Sequence, residues 1–349
     1  MRPFGKPGNA VHELYYQQPV DDQALVDGAL RGMMEALPDD YSAYEDPQQT
    51  RDFQMYMSGE YEGIGAYVNT DAEFLTIVRP IPGSPAEAAG LKTGDQIIAV
   101  DGEDVTGLDP AMVRLKVLGP AGTQVTLTIL RPGVEEPFDV TVTRAHIVIP
   151  SVEGKMLDQN IAYIVINLFG DDTGSEFHQI LGDLLKQDPR GIIVDLRYNT
   201  GGYTTAARQV ASEFLSSGVV WYEEYGNGER KEYRVLGGGL ATDPKLPVVV
   251  LVNEHSASAS ELVAGALQDY KRAKLVGVTT FGKGTVQTLV PLSNGGTARI
   301  TIARWLTPNN RTIQDTGLTP DVVIERTLEQ EEAGIDPQLD AAIKLILNP

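Results

Sequence analysis

Cysteine is absent from the 349-residue chain, which excludes disulfide bridges, zinc–thiolate sites and a cysteine nucleophile. Histidine is scarce. The four copies are His12, His146, His178 and His255, and their scattered positions give none of the spacings typical of a metal site. We therefore expect no bound metal.

Long apolar runs are also absent. No run of 18 apolar residues occurs, so a transmembrane helix is not predicted. The polar start of the chain, residues 1–18, lacks the apolar core of a signal peptide. Two interpretations remain open: the protein is cytosolic, or its export segment is missing from this chain.

Basic residues are fewer than acidic residues. The chain has 28 lysines and arginines against 48 aspartates and glutamates, which gives a formal net charge of −20 at pH 7. This excess of negative charge argues against nucleic acid or an anionic membrane surface as the main partner. The length and the apolar content of 42% allow two or three domains with sizeable cores.

One stretch is suited to a nucleophile. Residues 248–252 form an apolar β-branched run that predicts a buried strand, and residues 262–267 follow with helical periodicity. Ser258 and Ser260 lie where the strand gives way to the helix, and unpaired N–H groups at a helix start are able to hold a developing oxyanion. In the alternative interpretation these serines are helix caps, with Glu261 completing a capping box from Ser258.

A lysine between two glycines lies further along the chain. Lys283 comes just before a predicted strand, and Gln287, four residues on, shares its face if the chain is extended. Burial beside a serine hydroxyl would make Lys283 lose its proton more readily, and the neutral amine would then serve as a general base. The alternative is a surface lysine in a glycine turn.

His255, three residues before Ser258, suggests a Ser–His pair at first sight. A triad needs an oriented base, and no acidic orienter is evident beyond Glu254. We therefore interpret His255 as a turn residue. No Ser-x-x-Lys motif occurs, which argues against the penicillin-binding class of Ser–Lys enzymes.

Together, SASASE (residues 256–261), GKG (residues 282–284) and Gln287 closely resemble the catalytic motifs of the carboxyl-terminal processing, or tail-specific, serine proteases. The resemblance implies a Ser–Lys dyad. In that dyad Ser258 is the nucleophile and Lys283 is the general base, and Gln287 positions the lysine.

A further motif of the same family is DLRYNTGG, residues 195–202. By resemblance, the N–H of Gly202 forms one arm of the oxyanion hole, and the N–H of Ala259, directly after the nucleophile, forms the other. Gly201 and Gly202 are also interpretable as a helix-entry turn that needs positive φ. The two interpretations are compatible.

Residues 60–145 are expected to form a separate domain. SPAEAAGLKTGDQIIAVDG, residues 84–102, strongly resembles a PDZ domain. PDZ domains bind an extended peptide as an added strand and capture its carboxylate on backbone N–H groups. By resemblance, the residues that receive the chain end are Gly63, Ile64, Gly65 and Ala66. In the alternative interpretation these glycines only form a tight turn.

Residues 146–326 alternate between strands and helices. Strands are expected at residues 160–169, 191–197, 219–225 and 247–252. This order predicts an α/β fold with a mostly parallel sheet covered by helices, and the resemblance implies a core of the crotonase or ClpP-like type.

The two ends of the chain are expected to be helical. Residues 1–59 form a helical N-terminal segment, whose LPDDYS is similar to an LDPYS-like sequence of the family, and residues 327–349 form an amphipathic C-terminal helix. Segments of this kind pack domains together or form dimers. The sequence leaves open which applies, and whether the chain is a homo-oligomer.

The sequence thus predicts a serine endopeptidase that recognises unstructured protein tails through a PDZ domain and needs no cofactor. The resemblance implies an extracytoplasmic location, in the periplasm or cell envelope, with the export segment missing from this chain. Two other functions stay open: a PDZ adaptor on an inactive or partner-activated core, and a crotonase-like acyl-CoA enzyme. The joint presence of Ser258, Lys283 and Gln287 argues against an inactive core.

Overall fold

The computed structural model describes residues 5–69 and 72–348. They form two compact units. The larger unit comprises the described residues up to Ser58, Ser151–Thr327 and those from Asp336 onward, and the smaller unit comprises Gly59–Pro150 and Leu328–Ile335. Within the described ranges, no helix has both the length and the hydropathy that crossing a membrane requires.

The N-terminal part of the larger unit consists of α1 (Gly5–Leu14), α2 (Asp22–Glu35), β1 (Ala43–Glu45) and α3 (Pro47–Met57). The side chains of Asp21 and Asp46 cap α2 and α3 by accepting hydrogen bonds from backbone N–H groups of the first turn. β1 pairs antiparallel with residues 297–299, so this early segment is part of a sheet built mainly from the end of the chain.

The smaller unit contains, in chain order, β2 (Glu60–Gly63), β3 (Ala66–Asn69), β4 (Leu75–Pro80), α4 (Pro85–Ala88), β5 (Gln96–Val100), β6 (Glu103–Asp104), α5 (Pro110–Val117), β7 (Gln124–Leu130), β8 (Phe138–Thr143) and β9 (Ala145–Val148). Its main sheet is antiparallel with the order β3-β4-β5-β7-β8, and β2 pairs with β9. Val125, Leu127 and Ile129 alternate along β7 and are fully buried, because one face of this sheet covers the core.

The remaining elements, in chain order, are β10 (Val152–Leu157), β11 (Ile161–Ile166), α6 (Thr173–Leu185), β12 (Ile192–Asp195), α7 (Thr204–Phe214), β13 (Val219–Tyr225), β14 (Arg230–Arg234), β15 (Val248–Val252), α8 (Ala259–Asp269), β16 (Lys274–Gly277), β17 (Thr285–Pro291), β18 (Thr297–Leu306), β19 (Val322–Val323), α9 (Leu328–Glu332) and α10 (Pro337–Leu347). All except α9 belong to the larger unit.

The central sheet of the larger unit has the order β10-β11-β12-β15-β16-β19, and only the pair β10–β11 is antiparallel. Alternate strand residues pack against α6, α7 and α8 on one face and against α10 on the other. Because both faces are covered, β15 is an unbroken run of buried residues. The predicted α/β fold with a mostly parallel sheet is confirmed.

The prediction that strand 219–225 continues this parallel sheet is wrong. β13 lies in a second, antiparallel sheet of order β1-β18-β13-β14, with β17 also paired to β18. The physical reason is local: β13 forms a hairpin with β14 across a short glycine-containing turn, and a parallel neighbour would have required a long crossover.

Helix α8 is buried around most of its circumference. Every residue from Ala259 to Leu267 is buried, since α8 packs on α7, β13 and β16. A helix that is apolar on all sides is stable only inside a core. The start of α8 is therefore held rigidly, and that start is where the candidate site lies.

Candidate active site

The turn between β15 and α8 holds Ser258 in an unusual backbone conformation, with φ 55° and ψ −113°. A residue other than glycine at this position is strained, and such strain persists only where the surrounding structure enforces it. Here β15 is buried on one side of the turn and α8 on the other. The turn therefore presents the Ser258 side chain at the first turn of a fixed helix.

The three serines of this turn have different surroundings. Ser256 is fully buried and its hydroxyl donates to Leu196 O at 2.8 Å, while that of Ser260, also fully buried, donates to Asn199 O at 2.9 Å. Ser258 is partly exposed, and no described group accepts a hydrogen bond from its hydroxyl. Ser258 is thus the serine of this turn whose hydroxyl is available to a substrate.

The carboxylate of Glu261, fully buried in the first turn of α8, joins the two predicted catalytic segments. Its Oε2 accepts hydrogen bonds from the backbone N–H groups of Ser258 at 2.8 Å and Lys283 at 3.0 Å. Its Oε1 accepts from the Thr280 hydroxyl at 2.6 Å and from Gly282 N–H at 2.8 Å. Burial raises the pKa of Glu261, and these four hydrogen bonds act against that rise.

Lys283 is half-buried, and its Nζ lies over the ring of Tyr41, 5.0 Å from the ring centroid. Burial lowers the pKa of Lys283 and the positive charge of Arg299 lowers it further, whereas Asp39 and Glu261 act in the opposite direction. Among the described residues, no carboxylate forms an ion pair with Nζ. An amine in these surroundings is suited to act as a base.

Gln287 lies on β17, beside a β-bulge. Its amide nitrogen donates to the hydroxyls of Thr285 at 2.9 Å and Thr301 at 3.1 Å. In the described part of the chain no hydrogen bond joins Gln287 to Lys283, and none joins the Ser258 hydroxyl to Lys283 Nζ. The structure thus brings the three predicted residues into one region without direct contact between their functional groups.

The turn after β12 lies against the start of α8. A Cβ added to Gly201 would lie 2.8 Å from Ser258 Cβ and 3.0 Å from Ala259 N, so this approach requires glycine. The N–H of Gly201 donates to Asn199 Oδ1 at 2.8 Å. No described group accepts a hydrogen bond from the N–H of Gly202 or of Ala259. The two donors predicted for the oxyanion hole thus have no acceptor in the described part of the chain.

Asn199, which the sequence did not single out, ties three segments together. Its amide nitrogen donates to Ile166 O at 2.7 Å, at the end of β11. The backbone carbonyl oxygen of Asn199 accepts hydrogen bonds from Ala257 N–H at 3.0 Å and from the Ser260 hydroxyl. The side chain is fully buried. The available signal was its place in the DLRYNTGG motif, where an asparagine two residues before a pair of glycines indicates a turn that its side chain supports.

His255 stacks on Tyr198, with ring centroids 5.5 Å apart, and its Nε2 lies 3.8 Å from Glu254. Among the described residues, no hydrogen bond links this ring to Ser258. The geometry favours the interpretation of His255 as a turn residue.

A buried ionic network supports the strand end from which the DLRYNTGG turn starts. Arg197 binds both carboxylate oxygens of Asp195 and reaches Asp336 at 2.9 Å, while the Tyr163 hydroxyl donates to Asp195 at 2.6 Å. Burial acts to raise the pKa of Asp336, but the hydrogen bonds from Arg197 hold it below its usual value. The network links the start of α10 to the end of β12, after which the turn that carries Gly202 begins.

In the smaller unit, residues 63–66 connect β2 to β3. Gly65 has φ 81°, and an added Cβ would lie 2.4 Å from Ser84 Cβ. The Ser84 hydroxyl donates to Gly65 O at 2.7 Å, and Ala86 N–H donates to Ile64 O at 2.7 Å. These contacts fix the loop against α4. Because β3 is at one end of the sheet order, its outer edge has no strand partner among the described residues.

Substitution of Glu261 tests its role as the connection between these segments. Glu261→Ala leaves four donors without their acceptor, two of them buried and two partly buried, so we expect the free energy of unfolding to fall by at least about 3 kcal/mol. Urea unfolding followed by circular dichroism measures this change. The matched control is Glu254→Ala, an exposed residue of the same turn, which should change the value by less than about 0.5 kcal/mol. An unchanged midpoint for Glu261→Ala would contradict the assignment.

Family models match three parts of the chain. The model described as "Peptidase family S41" matches residues 160–324, a PDZ domain model matches residues 76–131, and the model "Activating protease CtpB N-terminal domain" matches residues 8–49. The first match contains Gly202, Ser258, Ala259, Lys283 and Gln287.

Curated relatives are similar over nearly the whole chain. The carboxy-terminal-processing protease of Bartonella bacilliformis is 37% identical over 346 residues, which is 96% of this chain and 77% of that protein. The carboxy-terminal processing protease CtpA of Bacillus subtilis is 39% identical over 311 residues, which is 89% of this chain and 66% of that protein.

Solved structures share the fold. A photosystem II D1 C-terminal processing protease, 30% identical, aligns with a TM-score of 0.64 over 92% of this chain and 87% of its own. A putative S41 protease from Bacteroides fragilis, 18% identical, aligns with a TM-score of 0.62 over 95% of this chain and 90% of its own.

Proposed function

The chain belongs to peptidase family S41, among the carboxy-terminal processing serine proteases, and from this premise we propose that it cleaves protein tails with a Ser258–Lys283 dyad. This membership confirms the resemblance that residues 256–261 and 282–284 indicated. It also confirms the prediction that the chain is a serine-type peptidase with a PDZ domain.

The observation that carries the dyad is the shared acceptor Glu261. Because one carboxylate oxygen accepts hydrogen bonds from the backbone N–H groups of both Ser258 and Lys283, the two segments are held at a fixed mutual distance. The partly exposed Ser258 hydroxyl has no described acceptor, and Lys283 has a lowered pKa. Nucleophilic catalysis of this kind requires a hydroxyl that is available to substrate and an amine that loses its proton readily. Glu261 holds the two segments that carry these groups together.

The proposed reaction follows from these positions. Neutral Lys283 takes the proton of Ser258 as its oxygen attacks the scissile carbonyl, and the N–H groups of Gly202 and Ala259 stabilise the resulting oxyanion. One such donor typically lowers the activation barrier by about 3 kcal/mol. The lysine ammonium then protonates the leaving amine, and water hydrolyses the acyl-enzyme. Gln287 orients Lys283 through its amide oxygen, since its nitrogen is engaged by two threonine hydroxyls.

Tail recognition is assigned to the smaller unit. β3 is at one end of the sheet order, a position suited to accept an extended peptide as an added strand, and residues 63–66 lie at its beginning, where a terminal carboxylate would meet backbone N–H groups. The proposed substrates are therefore proteins with unstructured, apolar C-terminal tails. We place this activity outside the cytoplasm, in the periplasm or cell envelope.

An unfolded protein that ends in apolar residues tests this proposal. We expect it to be cleaved at least about tenfold faster, at limiting concentration, than the same protein ending in two aspartates, because about 1.4 kcal/mol of binding corresponds to a factor of ten. Gel-based initial rates measure the difference. Equal rates for the two substrates would refute tail recognition while leaving the peptidase assignment intact.

Two glycine variants locate the recognition in the loop. Gly65→Ala, whose new Cβ would meet Ser84, should abolish the preference for the apolar tail. Gly90→Ala is the matched control in the same unit: its φ is also positive, at 78°, but its added Cβ meets nothing within 4 Å. Loss of the preference in both variants would indicate a general effect of backbone strain.

A further inference from the structure

The N-terminal segment of the larger unit contacts the predicted base. β1 pairs with β18, and just before β1 two hydrogen bonds extend this attachment: Tyr41 O accepts from Arg299 Nε at 3.2 Å, and Ser42 Oγ accepts from Thr301 N–H at 3.0 Å. Arg299 also pairs with Glu45 of β1 at 3.3 Å. These contacts fix the backbone of Tyr41 on β18.

The same strand fixes the backbone of Lys283. β17, which begins two residues after Lys283, pairs with β18 along its whole length, and Trp305 Nε1 of β18 donates to Lys283 O at 2.9 Å. β18 thus fixes the backbones of Tyr41 and Lys283, which are more than 200 residues apart in sequence, so that the ring lies over the amine. The contact between the ring and Nζ is part of the packed fold.

We propose that Tyr41 is a positioning residue for Lys283: its ring covers Nζ and keeps water away from the amine that receives the Ser258 proton. This role rests on the proposed function, in which Lys283 is the general base. It makes the N-terminal segment part of the active site.

The sign of the effect follows from comparing two opposing contributions. Contact with the aromatic face favours the charged lysine, but by less than one pKa unit. Exclusion of water favours the neutral amine and shifts buried lysines by up to several units. The charges that face Nζ are Arg299 on β18, Asp39 ahead of β1 and Glu261 on α8. Since these charges stay when Tyr41 is truncated, removal of the ring should raise the pKa of Lys283.

The pH dependence of cleavage tests the proposal. Activity requires neutral Lys283, so kcat/KM rises as the pH rises through the pKa of this lysine. This rise is the acidic limb of the pH profile, and a higher pKa of Lys283 moves it to higher pH. For Tyr41→Ala we expect a shift of about one unit, with an about tenfold loss at pH 7. Tyr41→Phe, which keeps the ring, should retain the wild-type limb. The control Tyr222→Ala removes a ring that lies over Arg230 instead, and its limb should not move.

A second readout does not depend on cleavage. This readout is an NMR titration of proteins that carry Ser258→Ala and selectively labelled lysine. The Cε resonance of Lys283 reports the pKa of this lysine directly. The resonance is assigned by its loss in Lys283→Arg. We expect Tyr41→Ala to raise its midpoint and Tyr41→Phe to leave it unchanged. An unshifted midpoint in Tyr41→Ala, or an equal shift in both variants, would overturn the proposal. If Lys283→Met kept full cleavage activity, the proposed function would fail instead, and the resonance would still decide whether the ring covers the amine.

Discussion

Ser258→Ala should lower kcat/KM for an unfolded tail substrate by at least about 10⁴-fold. Removal of a nucleophile eliminates the covalent step, and the catalysis that remains comes from the oxyanion donors and from substrate binding alone. The free energy of unfolding should fall by no more than about 1 kcal/mol, because the Ser258 hydroxyl donates to no described group and only its capping-box contact with the N–H of Glu261 is lost. Initial rates and thermal unfolding, measured on the same preparation, check both statements.

The neighbouring serines are the matched controls. Ser260→Ala removes a hydrogen bond to Asn199 O and Ser256→Ala removes one to Leu196 O, both in the buried turn. Each should lower the free energy of unfolding by about 1–2 kcal/mol and leave much of the activity at temperatures where the protein stays folded. If Ser260→Ala lost all cleavage while Ser258→Ala kept it, the nucleophile would be assigned to the wrong serine. Binding of the tail without cleavage by the wild-type protein would favour the adaptor instead.

The sequence contained enough to predict the local parts of this site. The run of apolar residues at 248–252 predicts a buried strand, and the helical pattern after Ser258 predicts α8, because both signals are periodicities within one segment. The same holds for the mostly parallel order of the central sheet, which follows from alternating elements. Strand 219–225 was misplaced because the alternation of strands and helices took no account of the hairpin between β13 and β14, which places β13 in the antiparallel sheet beside β18.

Contacts between distant segments were outside the reach of pattern reasoning. Glu261 was predicted as a cap of its own helix, and it does accept the Ser258 N–H, but its bond to Lys283 N–H depends on how the later loop folds back. Tyr41 and Lys283 are separated by most of the chain and meet only because β1 and β17 both pair with β18. The sequence identified the reactive groups, whereas their positioning depends on long-range pairing.

Lys283→Met is the second substitution with a large expected effect. The thioether side chain fills similar space under Tyr41 but does not accept a proton, so we expect kcat/KM to fall by at least about 10³-fold. Lys283→Arg should be as inactive, because a guanidinium stays protonated at every pH at which the protein is folded. In the wild type, the acidic limb of the kcat/KM profile should have its midpoint below the value of about 10.4 for a free lysine, as burial lowers the pKa of Lys283.

The stability of these variants separates a catalytic role from a structural one. Because the pKa of Lys283 is lower in the folded protein, unfolding takes up a proton between that pKa and about 10.4, so the wild-type free energy of unfolding rises with pH across this interval. Lys283→Met abolishes that contribution and removes a half-buried amine that has no ion-pair partner among the described residues. We therefore expect Lys283→Met to be at least as stable as the wild type at pH 7, by urea unfolding, while it is inactive. If Lys283→Met were inactive and also much less stable, Lys283 would have a structural role, and Ser258 would need a different general base.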